Sequence, residues 1–168
     1  MSAEKATMRR LRKGPLAAAV AIPVSFAIFG AALVGGSSLD WFAGLVKPWF
    51  LVPLWAFYFV GLVYYVLGAV VIYRVLVHVE DPGGKAASFA LTVGLLLLNE
   101  LWNYGFFGLR STLAGFLGIA VFLVVLTALM AALRRYERFS AGLLVPYYLW
   151  VLYDLAWTYE LWRLNGAA

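Results

Sequence analysis

Inside the apolar run at residues 95–108 (LLLLNELWNYGFFG), an amide and a carboxylic acid stand side by side as Asn99 and Glu100. They precede Trp102, Asn103, Phe106 and Phe107. A second acid, Asp154, interrupts another apolar run between Trp150 and Trp157. A carboxyl group in hydrocarbon costs about 3 kcal/mol unless it faces a protein interior. These acids are therefore expected to look inward, onto a partner helix or a cavity. No Lys or Arg sits at a comparable depth in any apolar run. Two readings stay open. The acids line a proton-bearing or cation-binding cavity, or they hold helices or a partner subunit together.

Helical spacing groups their neighbours. Asn99, Trp102 and Phe106 (i, i+3, i+7) form one stripe, and Glu100, Asn103 and Phe107 the stripe beside it. Trp150, Asp154, Trp157 and Leu161 form a third, which either clamps a flat conjugated ligand between ring faces or packs as ordinary aromatic contact. Other chemistry finds little support. The chain has no cysteine, which removes thiolate catalysis and Cys-ligated metals. His78 lies at the edge of an apolar run beside Glu80 and Asp81 and reads as an interfacial side chain. With no metal-ligand cluster, nucleophile–His pairing or phosphate loop, no catalytic or metal-binding residue is assigned and no cofactor is required.

The elements that carry these residues are membrane-length. Of 168 residues, 65% are hydrophobic and 12% charged, about half the charge of a soluble domain. The expected fold is all-α, an integral membrane bundle of five transmembrane helices. A basic N-terminus (1–14) precedes a single domain (15–165) with spans at about 15–36, 53–77, 86–107, 112–133 and 141–164, each long enough to cross the hydrocarbon. Residues 37–52 form an amphipathic connection, and 78–85 (HVEDPGGK) read as a turn. With the N-terminus inside, Lys5, Arg9, Arg10, Arg12, Lys13, Arg74, Lys85, Arg134, Arg135 and Arg138 are inner. Only Lys47, Arg110 and Arg163 are outer. The imbalance orients the C-terminus outward. It also accounts for the basic pI without nucleic acid as a partner.

Three segments carry a family resemblance. Gly44-Leu45-Val46-Lys47-Pro48-Trp49, followed by Pro53 and Trp55, resembles the first loop and helix-two entry of the TspO/MBR family. Asn99, Trp102, Phe106, Phe107 and Gly108 resemble its helix-three motif. Val145-Pro146-Tyr147, Trp150 and Trp162-Arg163-Leu164-Asn165 resemble its helix five. The resemblance implies a five-helix bundle, often a homodimer, with a ligand cavity beneath the first loop. It also implies porphyrin, sterol or other hydrophobic ligands, a haem-like tetrapyrrole among them. Trp150, Asn99 and Trp102 match cavity positions, and Trp41, Lys47 and Pro48 match the lid. Departures are equally specific. The helix-two tryptophan is Gly61 here, although Tyr65 is kept. The usual helix-three glutamine falls at Leu95, and helix five carries Asp154, Trp157 and Thr158. Because that tryptophan is implicated in photo-oxidative porphyrin breakdown, that activity is not expected, and an enzyme of pigment chemistry is a third reading behind two non-enzymatic ones.

The candidate ligand-binding set is thus Trp41, Lys47, Pro48, Trp49, Trp55, Gly61, Tyr65, Asn99, Glu100, Trp102, Phe106, Tyr147, Trp150, Asp154 and Trp157. The expected function is a receptor or carrier for a hydrophobic, planar ligand in a bacterial or archaeal cytoplasmic membrane. The alternative is an interaction protein that stabilises another membrane complex, with its cavity filled by lipid.

Overall fold

The computed structural model describes residues 12–33 and 36–166. Lys5, Arg9 and Arg10 of the basic N-terminus lie outside the described residues, as does the end of the first span at 34–35. Among the described residues the chain is all α-helical. The helices are α1 (Lys13–Leu33), α2 (Gly36–Gly44), α3 (Leu54–His78), α4 (Pro82–Asn103), α5 (Thr112–Tyr136), α6 (Arg138–Leu143) and α7 (Val145–Asn165). A π-helical turn, Tyr104–Gly108, continues α4. Among the described residues, four helices (α1, α3, α4 with its π turn, and α5) are long and apolar enough to cross a membrane. The chain is an integral membrane protein. α7 spans 21 residues, about 31 Å of helix, but carries Asp154, Glu160 and Arg163 and is not one of those four.

Local chemistry sets the boundaries. The Asp81 carboxylate accepts a hydrogen bond from the Gly84 amide at 2.5 Å, and Pro82 occupies the first turn. The segment expected as a turn therefore opens α4, because a capping acid followed by proline starts a helix as well as it breaks one. Ser111 caps α5 by accepting from the Ala114 amide, after a turn in which Arg110 takes a positive φ of 52°. The amphipathic connection is partly helical, as α2. The expected fifth span is broken at Leu144, where the short α6 ends and Pro146 enters the first turn of α7.

In the bundle, α4 packs on α5, α1 on α3 and on α4, α3 on α4, and α5 on α7. Gly68 lets α3 lie close to Leu96 of α4 and Pro23 of α1, the small-residue packing common in membranes. α3 and α7 are not among the closely packed pairs. Aromatic rings bridge them instead: Phe57 meets Trp150 and Trp157, and Tyr64 stacks on Tyr147 at 5.2 Å.

One end of the bundle closes on an aliphatic core that includes Val71, Ile72, Val75, Leu96, Leu126, Leu129 and Leu133. At that end the Arg74 guanidinium donates to both Glu137 oxygens, at 2.7 and 3.1 Å, and lies over the Phe139 ring. Glu137 also accepts from the Ser140 amide at 2.7 Å, starting α6. The opposite end closes on aromatics, with Phe42, Phe106, Trp157 and Leu161 buried together. The space between these two cores is where a site can form.

Candidate functional site

Between the cores lies a cavity of about 460 Å³, within the range of small-molecule sites, about 300–1,000 Å³. Its walls come from α1, α2, α3, α4 with the π turn, α5 and α7. Leu54, Tyr58 and Leu62 (i, i+4, i+8) line it and are also exposed, which sets its mouth along α3. From Trp157 to Tyr147 on α7 is ten residues, so the cavity reaches about 15 Å along that helix.

Of the residues singled out from the sequence, Gly61, Tyr65, Asn99, Trp102, Phe106, Tyr147, Trp150, Asp154 and Trp157 line this cavity. Gly61 faces open space, with nothing within 4 Å of where its Cβ would stand. Trp102 stacks on Phe106 at 5.2 Å and donates its indole N–H to the Gly115 carbonyl oxygen at 2.9 Å, joining α4 to α5. The π turn rests on the bonds Leu109 N–H to Tyr104 O and Ser111 N–H to Phe106 O. Phe106 and Phe107, both in this turn, line the cavity together with Trp102 and Asn103.

The other candidates stand elsewhere. Trp55 is 69% exposed and Trp49 95% exposed, because α3 begins with Trp55 on its outer face and Trp49 sits in a turn. Pro48 is buried in that same connection. Lys47 does not reach the cavity. Its ammonium donates to the carbonyl oxygens of Ala43 and Leu45, satisfying the end of α2, and lies over Phe42. Trp41 packs edge-on against Phe106, one layer above the lining.

Glu100 stands apart from the lining. It is 1% exposed and stands behind the wall rather than in it. Its Oε1 accepts from the Tyr65 hydroxyl at 2.7 Å and from Asn99 Nδ2 at 3.1 Å, and its Oε2 from Asn103 Nδ2 at 3.1 Å. Glu100 thus bonds across helices to α3, with Gly30 of α1 leaving room for its carboxyl group. Asp154 does face the cavity, and its Oδ1 accepts from the Trp157 indole N–H at 2.7 Å. No direct bond joins the two acids among the described residues.

Sequence reasoning missed Phe57, Tyr64, Ile119 and Phe122 in the lining. Each looks like any other apolar position of a span, and only the separation of α3 from α7 distinguishes them. It also missed what ties down the lid. The Asn165 side chain accepts from the Val46 amide at 3.0 Å and donates to the Val46 carbonyl oxygen at 2.9 Å. The Tyr153 hydroxyl accepts from the Val52 amide at 2.9 Å and donates to the Phe50 carbonyl oxygen at 3.3 Å. Asn165 belonged to a recognised motif, but nothing in the motif says what it bonds.

A membrane-embedded helical bundle, with an aromatic cavity under a segment fastened to its last helix, defines the class of protein. The model of the TspO/MBR family matches residues 19–163, and the chain belongs to that family. It is similar to a tryptophan-rich protein TspO of Archaeoglobus fulgidus, 29% identical over 90% of this chain and 97% of that protein. It is also similar to the translocator protein of Sus scrofa, 31% identical over 77% and 78% of the two chains. Protein CrtK of Rhodobacter capsulatus is 26% identical over 74% of this chain and 78% of its own.

Proposed function

We propose that this protein is a membrane receptor or carrier that binds a hydrophobic, planar ligand of the tetrapyrrole, sterol or isoprenoid class in the bundle cavity. The carrying observation is the lining itself. Phe57, Trp102, Phe106, Trp150 and Trp157 present ring faces and edges around about 460 Å³, an arrangement that suits a flat apolar body. The lid of α2 and residues 45–53 covers the end where these aromatics gather. In this reading α7 is the fifth transmembrane helix, the N-terminus is cytoplasmic, and a second copy of the chain is a candidate partner. Gly61 argues for binding rather than turnover, since it replaces the aromatic side chain expected there with open space.

The test is titration of protoporphyrin IX into the detergent-solubilised protein, read by quenching of tryptophan fluorescence. Saturable quenching is expected, and Trp150→Ala should weaken affinity by roughly tenfold, the scale of a lost aromatic contact of about 1.5 kcal/mol. Quenching that never saturates, or a variant indistinguishable from the parent, overturns the assignment.

A further inference from the structure

We infer that the ligand presents a hydrogen-bond donor or a positive charge to the middle of the cavity, because buried Glu100 turns the polar wall into a set of acceptors. This rests on the cavity being the ligand site. A carboxylate oxygen only accepts, so the groups packed on Glu100 must aim their donors at it. The Tyr65 hydroxyl does so at 2.7 Å, and Asn99 and Asn103 do so through Nδ2 at 3.1 Å. Tyr65, Asn99 and Asn103 all line the cavity while Glu100 does not. With their amide nitrogens directed backward, Asn99 and Asn103 keep Oδ1 for the cavity side, and neither oxygen has a hydrogen bond among the described residues.

The facing wall has the same polarity. Asp154 lines the cavity from α7, and its Oδ1 is held by the Trp157 indole. That bond consumes a donor, as does the bond from the Trp102 indole to Gly115. Tyr58 at the mouth, Tyr147, and Tyr64, whose buried hydroxyl has no partner among the described residues, keep hydroxyls that donate and accept alike, and Asn103 keeps one Nδ2 hydrogen. No Lys or Arg is among the lining residues. Beside these hydroxyls, which suit either role, the groups of fixed character left for a ligand are two amide oxygens and a carboxylate, so the net charge it meets is negative. A protonated amine, a ring N–H or a hydroxyl on a flat apolar body complements that balance, and a carboxylate at the same depth opposes it. Glu100 is a positioning residue here, since it acts on the ligand through Tyr65, Asn99 and Asn103.

Three probes with one ring system separate the possibilities: 1-pyrenemethylamine (protonated at neutral pH), 1-methylpyrene and 1-pyrenecarboxylate. Binding is read by pyrene fluorescence on the full chain in detergent micelles. The parent should prefer the amine over 1-methylpyrene by about tenfold, the scale of one charge-assisted hydrogen bond, and should bind the carboxylate most weakly. Glu100→Gln places an amide N–H2 behind the wall, so an asparagine must turn its oxygen inward and its N–H2 toward the cavity. The amine preference should then fall several-fold and the carboxylate should gain, with 1-methylpyrene unchanged. Asp154→Asn should lower the amine preference alone, and it carries the test if Glu100→Gln does not fold. Equal affinities of the parent for all three probes would overturn the inference while leaving the cavity as a binding site. Equal weakening of all three by Glu100→Gln would reduce Glu100 to a structural role and overturn it too. If no probe binds saturably, the cavity is not the ligand site and both readings fall together.

Discussion

Two glycines with the same sequence appearance have opposite environments. A Cβ at Gly30 would overlap the Glu100 carboxyl group, while one at Gly61 would meet nothing within 4 Å. Gly30→Ala is therefore expected to destabilise by about 1–3 kcal/mol through overpacking, with further loss as Glu100 shifts from Tyr65. Gly61→Ala should be neutral or gain up to about 1 kcal/mol from helix propensity. Unfolding midpoints of the two variants in the same detergent check the contrast, and equal midpoints would contradict it. A third residue, Glu137, has a pH signature. The bidentate bond from Arg74 holds its carboxyl down to about 2 from an ordinary value of 4.5. A depressed acid stabilises fully above its unfolded value and loses that contribution as pH falls toward the folded one. The stability gap between the parent and Arg74→Met should thus be constant above about pH 5 and shrink from pH 4.5 towards 2. A gap independent of pH across that window would show that the ion pair contributes nothing.

At the scale of elements, what the sequence discloses depends on periodicity. Long apolar runs reveal α1, α3, α4 and α5, because a span must satisfy its backbone internally and shows it as unbroken apolarity. Capping chemistry at 78–85 and the helix within 37–52 are less legible, since Asp-Pro-Gly-Gly serves a turn and a helix start equally well. The site divides along the same line. Stripes on α4 and α7 point to Asn99, Trp102, Trp150, Asp154 and Trp157, but the π turn after α4 and the gap between α3 and α7 leave no periodic trace. Glu100 was visible as anomalous, yet its position behind the wall depends on Gly30 of another helix. The lid gives an element-level prediction. Among the described residues, its exposed tryptophan, Trp49, meets only Phe50 in ring contact, whereas Asn165 makes two bonds to Val46. At roughly 1 kcal/mol each, losing both in Asn165→Ala should speed release of bound porphyrin by about tenfold or more. Stopped-flow fluorescence measures this, and an unchanged release rate would mean that the lid does not control access.

For the whole molecule, charge and connectivity support the proposed orientation. Arg74 and Glu137 mark one end of the bundle, and the first turn of α1 is tied there by the bond from the Arg12 amide to the Tyr73 hydroxyl. Lys85 in the first turns of α4, and Arg134, Arg135 and Arg138 around the end of α5, fall at the same end by helix direction. Lys47, Arg110 and Arg163 fall at the lid end. α7 begins beside α6, which contacts α3 and α5, and it finishes at Asn165 against Val46. It therefore runs from the basic end to the lid end, the course required of a fifth crossing. Its acids do not prevent this, because Asp154 faces the cavity and Glu160 pairs with Arg163 at the lid end. With five crossings, positive-inside bias favours the proposed orientation, with the lid end outside. A periplasmic-type reporter fused after Ala168 should be active and one inserted between Glu80 and Asp81 silent, while a cytoplasmic-type reporter should give the reverse pair. Cytoplasmic activity at both positions would remove α7 from the spans, leaving four crossings, a lid still opposite the basic end and no contact between Asn165 and Val46. Reversed activity at both would keep five crossings and invert the protein.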